Sequence, residues 1–191
     1  MRMLLPDVRE ELTDDDLDAA YAWPGWPEAR PWVRANMVST VDGAARGPES
    51  LSKSISSRAD KRVFGRLRGL ADVVLVGAGT VRAEDYTPAQ VRPSFADRRA
   101  AAGQLVAPPL AEVSRSLRLD LSAPRYADAP VRPIVITCAS SDPGRRAAAA
   151  EVADVLVAGD DGVDLADALA QLAERGLVRV HAEGGPTLLA D

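Results

Sequence analysis

The stretch Val178–Leu189, VRVHAEGGPTLL, carries the clearest fold signal in the chain. Its β-branched first half follows a helix stop at Glu174-Arg175-Gly176, which predicts a strand over Val178–Glu183. Two glycines then turn the chain, and Pro186 suits a first helical turn because its φ is fixed and it lacks an N–H. Such a strand, turn and helix N-terminus form a potential anion site, because unpaired N–H groups point outward there. Glu183 lies just before the turn, at the carboxyl end of the strand, where open α/β sheets bind ligands. Taken alone, the Gly-Gly pair favours an ordinary β–α connection with a surface glutamate.

Strand-like and helix-like segments alternate along the rest of the chain. Further strands are predicted at Trp32–Thr40, Asp72–Val76, Leu110–Ser114, Val131–Thr137 and Asp154–Ala158. Helices are predicted from the cap at Thr13 to Tyr21, at Ser56–Leu70, at Val81–Glu84, from the cap at Asp142 onward, and at Val163–Arg175. Val91–Pro109 has no clear period and is predicted to be a loop. This alternation predicts an α/β fold, a mostly parallel central sheet with helices on both faces.

Composition limits the class of protein. The chain has 191 residues, 47% of them hydrophobic, which suits an N-terminal arm over residues 1–31 and one domain over 32–191. A formal net charge of -5 argues against nucleic acid as a partner. The single cysteine and single histidine, Cys138 and His181, exclude internal disulfides and zinc sites that need two histidines. With no charged-then-apolar leader and no apolar run of bilayer length, we expect a cytoplasmic protein that does not bind membranes.

A second glycine turn, Gly77-Ala78-Gly79-Thr80, follows an apolar strand and precedes a helix. This is the place for a dinucleotide-binding turn, although Arg82 occupies the position of the third glycine in the Rossmann fingerprint. The chain also lacks a P-loop and a Gly-x-Ser-x-Gly elbow. Two glycine turns at the same edge of one sheet can hold the two phosphates of a dinucleotide between them.

Three ordered motifs resemble a known family. They are RANMVSTVDG at 34–43, LRGLADVVLVGAGTVRAE at 67–84 and EGGPTL at 183–188. The chain resembles the riboflavin-biosynthesis pyrimidine reductases, the C-terminal domain of bifunctional deaminase-reductases, from about Trp32 to the last residue. The resemblance implies a dihydrofolate reductase-like three-layer fold. It also implies NADPH-dependent reduction of the opened ribose of an aminopyrimidinone ribosyl phosphate to a ribityl chain.

The resemblance also implies roles for individual residues. Cofactor contacts are implied for Gly77, Gly79, Thr80, Glu84, Thr137, Gly184, Gly185, Pro186, Thr187 and Leu188. Substrate contacts are implied for Asn36, Ser39, Asp42, Ser52, Arg68 and Glu183. Glu183 falls where the family binds the pyrimidine ring, Arg68 where it binds the substrate phosphate, and Glu84 near the nicotinamide. Glu183 and Glu84 are therefore the predicted catalytic residues, with no metal, because hydride transfer mainly requires orientation of the two reactants.

Several positions depart from the family pattern. Ala44 stands where many members have lysine, Ser54 where they have tryptophan, and Asp85-Tyr86-Thr87-Pro88 replaces a Pro-x-Leu-Thr pattern. These departures keep two alternatives open: reduction of a pterin such as dihydrofolate, and a non-catalytic module that binds a nucleotide.

Three further expectations concern single regions. His181 is predicted to be a partly buried core residue where the family has an apolar one, not an acid–base group. Ser140–Arg145 is the predicted site for the 2′-phosphate of NADPH. Family members continue beyond the helix begun at Pro186, so C-terminal strands are expected to be missing and a homodimer is expected of the full-length chain.

Overall fold

The computed structural model describes residues 1–4, 7–25, 30–48 and 51–190. Parts of the predicted arm, 5–6 and 26–29, and of the predicted domain, 49–50 and 191, lie outside the described residues. The strands are β1 Trp32–Ala35, β2 Val73–Gly77, β3 Leu110–Val113, β4 Ile134–Thr137, β5 Asp154–Val157 and β6 Arg179–Ala182. The helices are α1 Asp14–Ala20, α2 Arg58–Leu70, α3 Ala78–Ala83, α4 Ala96–Ala101, α5 Pro124–Ala127, α6 Pro143–Val152, α7 Leu165–Glu174 and α8 Pro186–Ala190.

The six strands form one sheet in the order β1-β6-β2-β3-β4-β5, and every strand pair in it is parallel. The predicted α/β architecture is confirmed. The register of the central strands matters for the site. Val76 of β2 pairs with Glu112 of β3. On its other side Leu75 pairs with Ala182, and the N–H of Glu183 donates to the Leu75 carbonyl. Glu183 and Glu112 therefore flank Val76 in one row on one face of the sheet.

Helices cover both faces of the sheet, as predicted. On one face Ala168 and Leu172 of α7 pack against Leu75 and Ile136. On the other face Ala149 of α6 packs with other buried side chains of that layer, among them Val135 and Tyr126. Helix α2 lies on this second face, where Phe64 meets the His181 ring edge-on at 6.0 Å between centroids. Among the described residues, no helix combines the length and the apolar character needed to cross a bilayer.

The predicted N-terminal helix is confirmed and is fixed to α2 by charge. Thr13 caps α1 in a capping box with Asp16. The buried Arg66 of α2 binds both carboxylate oxygens of Asp18, and Arg62 donates to Asp14 at 2.9 Å.

Two predicted segments differ from the structure in extent or type. Strand β1 ends at Ala35 rather than Thr40, because from Met37 onward the segment no longer pairs with β6. The predicted loop over Val91–Pro109 contains α4. Helix α4 has no hydrophobic period because its fully buried member is an arginine: Arg99 donates to the carbonyls of Gly69, Ala71 and Leu105.

The candidate active site at the carboxyl edge of the sheet

A cavity of about 320 Å³ opens where β1, β2 and β6 end. Eight of the predicted site residues line it: Asn36, Ser52, Arg68, Thr80, Glu84, Glu183, Gly185 and Pro186. The carboxyl ends of parallel strands are where open α/β sheets bind ligands, so the cavity lies where the fold places function.

Three cavity side chains, Arg68, Glu183 and Tyr86, form a hydrogen-bonded set that we call the cavity trio. Arg68 of α2 binds Glu183 with two parallel bonds, from Nε to Oε1 at 2.6 Å and from Nη2 to Oε2 at 2.7 Å. The Tyr86 hydroxyl donates to Oε2 at 2.8 Å. The guanidinium also lies over the rings of Phe64 and Tyr86, at 4.5 and 5.5 Å from their centroids. Bidentate geometry and stacking together hold Arg68 in one orientation.

The charge state of the trio follows from burial and from the pairing. Burial acts to lower the pKa of Arg68, but the charge and hydrogen bonds of Glu183 outweigh it, and the pKa is raised. Burial, and then the charge of Glu183, raise the pKa of Tyr86 well above its ordinary value. At neutral pH Arg68 is therefore charged and Tyr86 is protonated.

His181 lies beneath the trio and is fully buried, more so than predicted. Its Nε2 is 3.4 Å from Glu183 Oε1, and neither ring nitrogen has a hydrogen bond to a described residue. Burial lowers its pKa, so the ring is neutral at pH 7. A neutral, enclosed imidazole fits the predicted core role.

The two glycine turns meet at this edge, although Ala78–Thr80 form the first turn of α3 and the predicted helix start at Val81 is wrong. The Gly77 N–H donates to the Gly184 carbonyl at 2.7 Å. Gly184 has φ +88°, a conformation that favours glycine, and a Cβ on Gly185 would lie 2.6 Å from the Thr80 hydroxyl oxygen. The Gly184–Gly185 peptide bond is cis. Helix α3 begins at Ala78 after the N-cap residue Gly77, which offers no side-chain cap, and a Cβ on Gly79 would meet only open space. Helical N–H groups without a side-chain cap are in general available to bind an anion.

A family model for the RibD C-terminal domain matches residues 31–191. The chain belongs to the RibD C-terminal domain family. The 2,5-diamino-6-ribosylamino-4(3H)-pyrimidinone 5′-phosphate reductase of Archaeoglobus fulgidus is 29% identical over 161 residues, which cover 84% of this chain and 73% of that protein. Family membership makes the chain a reductase-type oxidoreductase, a class that uses a nicotinamide cofactor.

Solved structures agree with this assignment. A pyrimidine reductase-like protein from Corynebacterium diphtheriae superposes with a TM-score of 0.78 and 28% identity, covering 93% of this chain and 74% of that one. A deaminase/reductase from Thermotoga maritima shares the fold, with a TM-score of 0.59 and 23% identity, over 84% of this chain and 40% of its own.

Other residues implied by the family resemblance lie in several places. Glu84 accepts the Ser52 N–H at 2.5 Å and so ties the 3-10 turn Ser52–Ser54 to the end of α3. Ser39 and Asp42 lie in an exposed loop and do not line the cavity. Thr187 begins the α8 turn with Pro186, and Leu188 packs against the main core cluster.

Two implied cofactor regions lie further along the sheet. Thr137 ends β4 and is buried, with no hydrogen-bond partner for its hydroxyl among the described residues. At the Ser140–Arg145 segment, Asp142 already caps α6 by accepting the Arg145 N–H at 2.8 Å. The Arg145 guanidinium donates to the Ser116 carbonyl at 3.0 Å.

Sequence reasoning missed Tyr86 as a residue of the cavity. Its signal was present, because Tyr86 lies in the tetrapeptide 85–88 that departs from the family pattern. Phe64 was also missed, although it precedes Arg68 by four residues and therefore shares its helix face. Among the described residues, no three His, Cys, Asp or Glu side chains are grouped to hold a metal ion.

Proposed function

We propose that this chain is an NADPH-dependent reductase that converts the ribosyl group of an aminopyrimidinone ribosyl phosphate to a ribityl group in riboflavin biosynthesis. The observation that carries the proposal is the shared cavity: Thr80 of the first glycine turn, Gly185 and Pro186 of the second, and the Arg68–Glu183 pair line the same space. A cofactor on one wall and a polar substrate on the other are what hydride transfer needs.

The cofactor side rests on the two turns. Gly77, Gly79 and Thr80 on one turn, and Gly184–Pro186 on the other, would hold the dinucleotide through backbone groups. The bound cofactor supplies the hydride. The chain's contribution is to fix the nicotinamide against the carbon to be reduced, which requires rigid placement more than a nucleophile.

The substrate side rests on charge. Three cations besides Arg68 line the cavity, Arg46, Lys53 and Lys61, and none of them forms an ion pair with a described residue. The cavity carboxylates besides Glu183 are Asp60, Glu84 and Asp85. Glu84 accepts the Ser52 N–H, and Asp60 accepts the Ser56 hydroxyl at 2.6 Å. Cations that no carboxylate of the described residues contacts directly are suited to bind the phosphate of a phosphorylated substrate. Arg46, two residues beyond Ala44, supplies positive charge near the position where many family members have lysine.

The test is substrate-dependent oxidation of NADPH, followed at 340 nm. We expect oxidation with the aminopyrimidinone ribosyl phosphate, at least tenfold slower oxidation with NADH, and no oxidation of NADPH without substrate. Oxidation only when dihydrofolate is supplied would establish the pterin alternative. NADPH binding without turnover of either compound would establish a non-catalytic module and contradict the proposal.

A further inference from the structure

We propose that Tyr86 is a positioning residue of the cavity: its hydroxyl fixes the Glu183 carboxylate, and through it the Arg68 guanidinium, so that Arg68 Nη1 is presented to an acceptor atom of the ligand. The inference rests on the proposed function for the identity of that ligand alone. The positioning itself follows from contacts within the chain.

The backbone conformation places the Tyr86 side chain next to the Glu183 carboxylate. Asp85, with φ +51°, turns the chain immediately after α3, and the Tyr86 N–H donates to the Val81 carbonyl at 3.2 Å. The phenol then packs against a buried cluster that includes Val74 and Val76 of the central strand. Tyr86 is therefore anchored on the sheet, and its hydroxyl reaches Glu183 from a fixed base.

The Glu183 carboxylate is close to saturated. A carboxylate offers about four lone-pair directions. Two of them accept from Arg68 and a third accepts from Tyr86. Two N–H groups of a pyrimidine ring cannot both bind Glu183 unless one of these donors is displaced. While Tyr86 is bonded to it, the main role of Glu183 is therefore to orient Arg68 and not to bind the ligand directly.

Arg68 has the free donor instead. Its Nε and Nη2 donate to Glu183, so that carboxylate leaves Nη1 unbonded, and a side-chain hydrogen bond with Tyr86 further favours the charged guanidinium. The Arg68 side chain is 16% exposed and lines the cavity, whereas the Glu183 side chain is 1% exposed. The N–H donors of Nη1 are thus available to a phosphate or carbonyl oxygen.

A buried tyrosine that binds a carboxylate can also have a purely structural role. The chain contains such a tyrosine away from the cavity, with the same kinds of partner as Tyr86. Tyr126 donates to Glu112 at 2.7 Å, and Glu112 also accepts from Arg125 at 3.3 Å. We call Arg125, Glu112 and Tyr126 the core trio, and it does not line the cavity. Tyr126→Phe therefore removes the same hydroxyl–carboxylate bond where no ligand can be affected.

The first test is the ¹⁵N NMR signal of the Arg68 Nε–H, assigned by its loss in Arg68→Lys. In Tyr86→Phe we expect exchange of this proton with water to become at least tenfold faster, because the carboxylate that holds it is free to turn. In Tyr126→Phe we expect the Arg68 signal to be unchanged. Exchange within twofold of wild type in Tyr86→Phe would overturn the positioning role.

The second test separates positioning from general stability. In Tyr86→Phe we expect the KM for the aminopyrimidinone substrate to rise about tenfold and the KM for NADPH to stay within twofold. Tyr126→Phe should leave both KM values unchanged, even if its melting temperature falls as much as that of Tyr86→Phe. An unchanged substrate KM in Tyr86→Phe would overturn the proposal. If wild type itself shows no turnover, the proposed function fails, and the NMR experiment still decides the role of Tyr86.

Discussion

The cavity trio and the core trio contain the same three residue types on the same face of the sheet. Glu183 and Glu112 flank Val76 in one row, so their Cα atoms are about 10 Å apart. In the cavity trio the carboxylate accepts three bonds of 2.6 to 2.8 Å. In the core trio the arginine bond is 3.3 Å, and Glu112 Oε1 has no partner among the described residues.

The difference teaches that a buried Arg–Glu–Tyr set does not by itself mark a functional site. What distinguishes the cavity trio is the accessible edge of its arginine, since the Arg68 side chain is 16% exposed and the Arg125 side chain 6%. Short, bidentate bonds beside a cavity indicate a preorganised binding group. The enclosed, loosely bonded core trio should matter only for stability.

The largest expected effect is on stability, in the core trio. Glu112→Ala leaves Arg125 enclosed without its carboxylate, which should lower the free energy of unfolding by about 3–5 kcal/mol. Glu183→Ala should cost about 1–3 kcal/mol, because Arg68 borders the cavity and water can reach it. Urea unfolding measures both. Equal losses in the two variants would break the distinction between the trios.

The next effect is on the reaction. Glu183→Gln keeps the shape but turns one acceptor into a donor facing donors, which should cost about 1–3 kcal/mol, or roughly 5- to 150-fold in kcat/KM for substrate. NADPH affinity should stay within twofold, because the glycine-turn backbone is proposed to hold the cofactor. Glu112→Gln is the matched control and should retain wild-type kcat/KM per folded molecule. Loss of NADPH binding in a folded Glu183→Gln would instead make Glu183 a cofactor or turn residue.

A smaller effect is expected from the arginines. Lysine cannot make the bidentate bond, so Arg68→Lys should weaken substrate binding about tenfold, or about 1.4 kcal/mol. Arg125→Lys should leave substrate affinity unchanged. Isothermal titration with the substrate and the NADP⁺-bound protein measures both. The comparison fails if the two variants lose affinity to the same extent.

The smallest effect is the dependence of stability on alkaline pH. Burial and a neighbouring glutamate raise the pKa of both Tyr86 and Tyr126 above the ordinary value of 10.0. Each tyrosine therefore adds stability that is complete below about pH 10 and declines above it, as the unfolded chain ionises. The decline should be about 0.8 kcal/mol per tyrosine at about pH 10.5. Tyr86→Phe and Tyr126→Phe should each lose less stability than wild type between about pH 8 and pH 10.5 in urea unfolding. If either variant loses as much stability as wild type over this pH range, the tyrosine that it lacks does not contribute to the pH dependence.

The turns and the sheet followed from local sequence, because each rests on residues close in the chain. Gly184-Gly185-Pro186 predicted a strand–turn–helix unit, and the structure has one. Asp142 and Pro143 predicted the start of α6 in the same way. The pairing of β6 with β2, which joins the two glycine turns, is a long-range property that no local pattern specified.

The parts that could not be predicted depend on tertiary contacts. The burial of Glu112 in a parallel strand depends on Tyr126, which lies in the short helix α5 that the sequence analysis did not predict. Helix α4 was missed because Arg99, not an apolar residue, is its buried anchor. Tyr86 reaches Glu183 across 97 positions of the chain, after a left-handed turn at Asp85 that no local pattern indicates.

The central claim is that the cavity trio binds the substrate through Arg68 while the glycine turns bind the cofactor. The most direct measurement is a crystal structure of the chain with NADP⁺ and the ribityl product. We predict the dinucleotide along Gly77–Thr80 and Gly184–Pro186, a product oxygen about 3 Å from Arg68 Nη1, and an intact Tyr86–Glu183 bond. Product bound outside the cavity, or a Glu183 carboxylate turned away from Tyr86 to accept two ring N–H groups, would contradict the account.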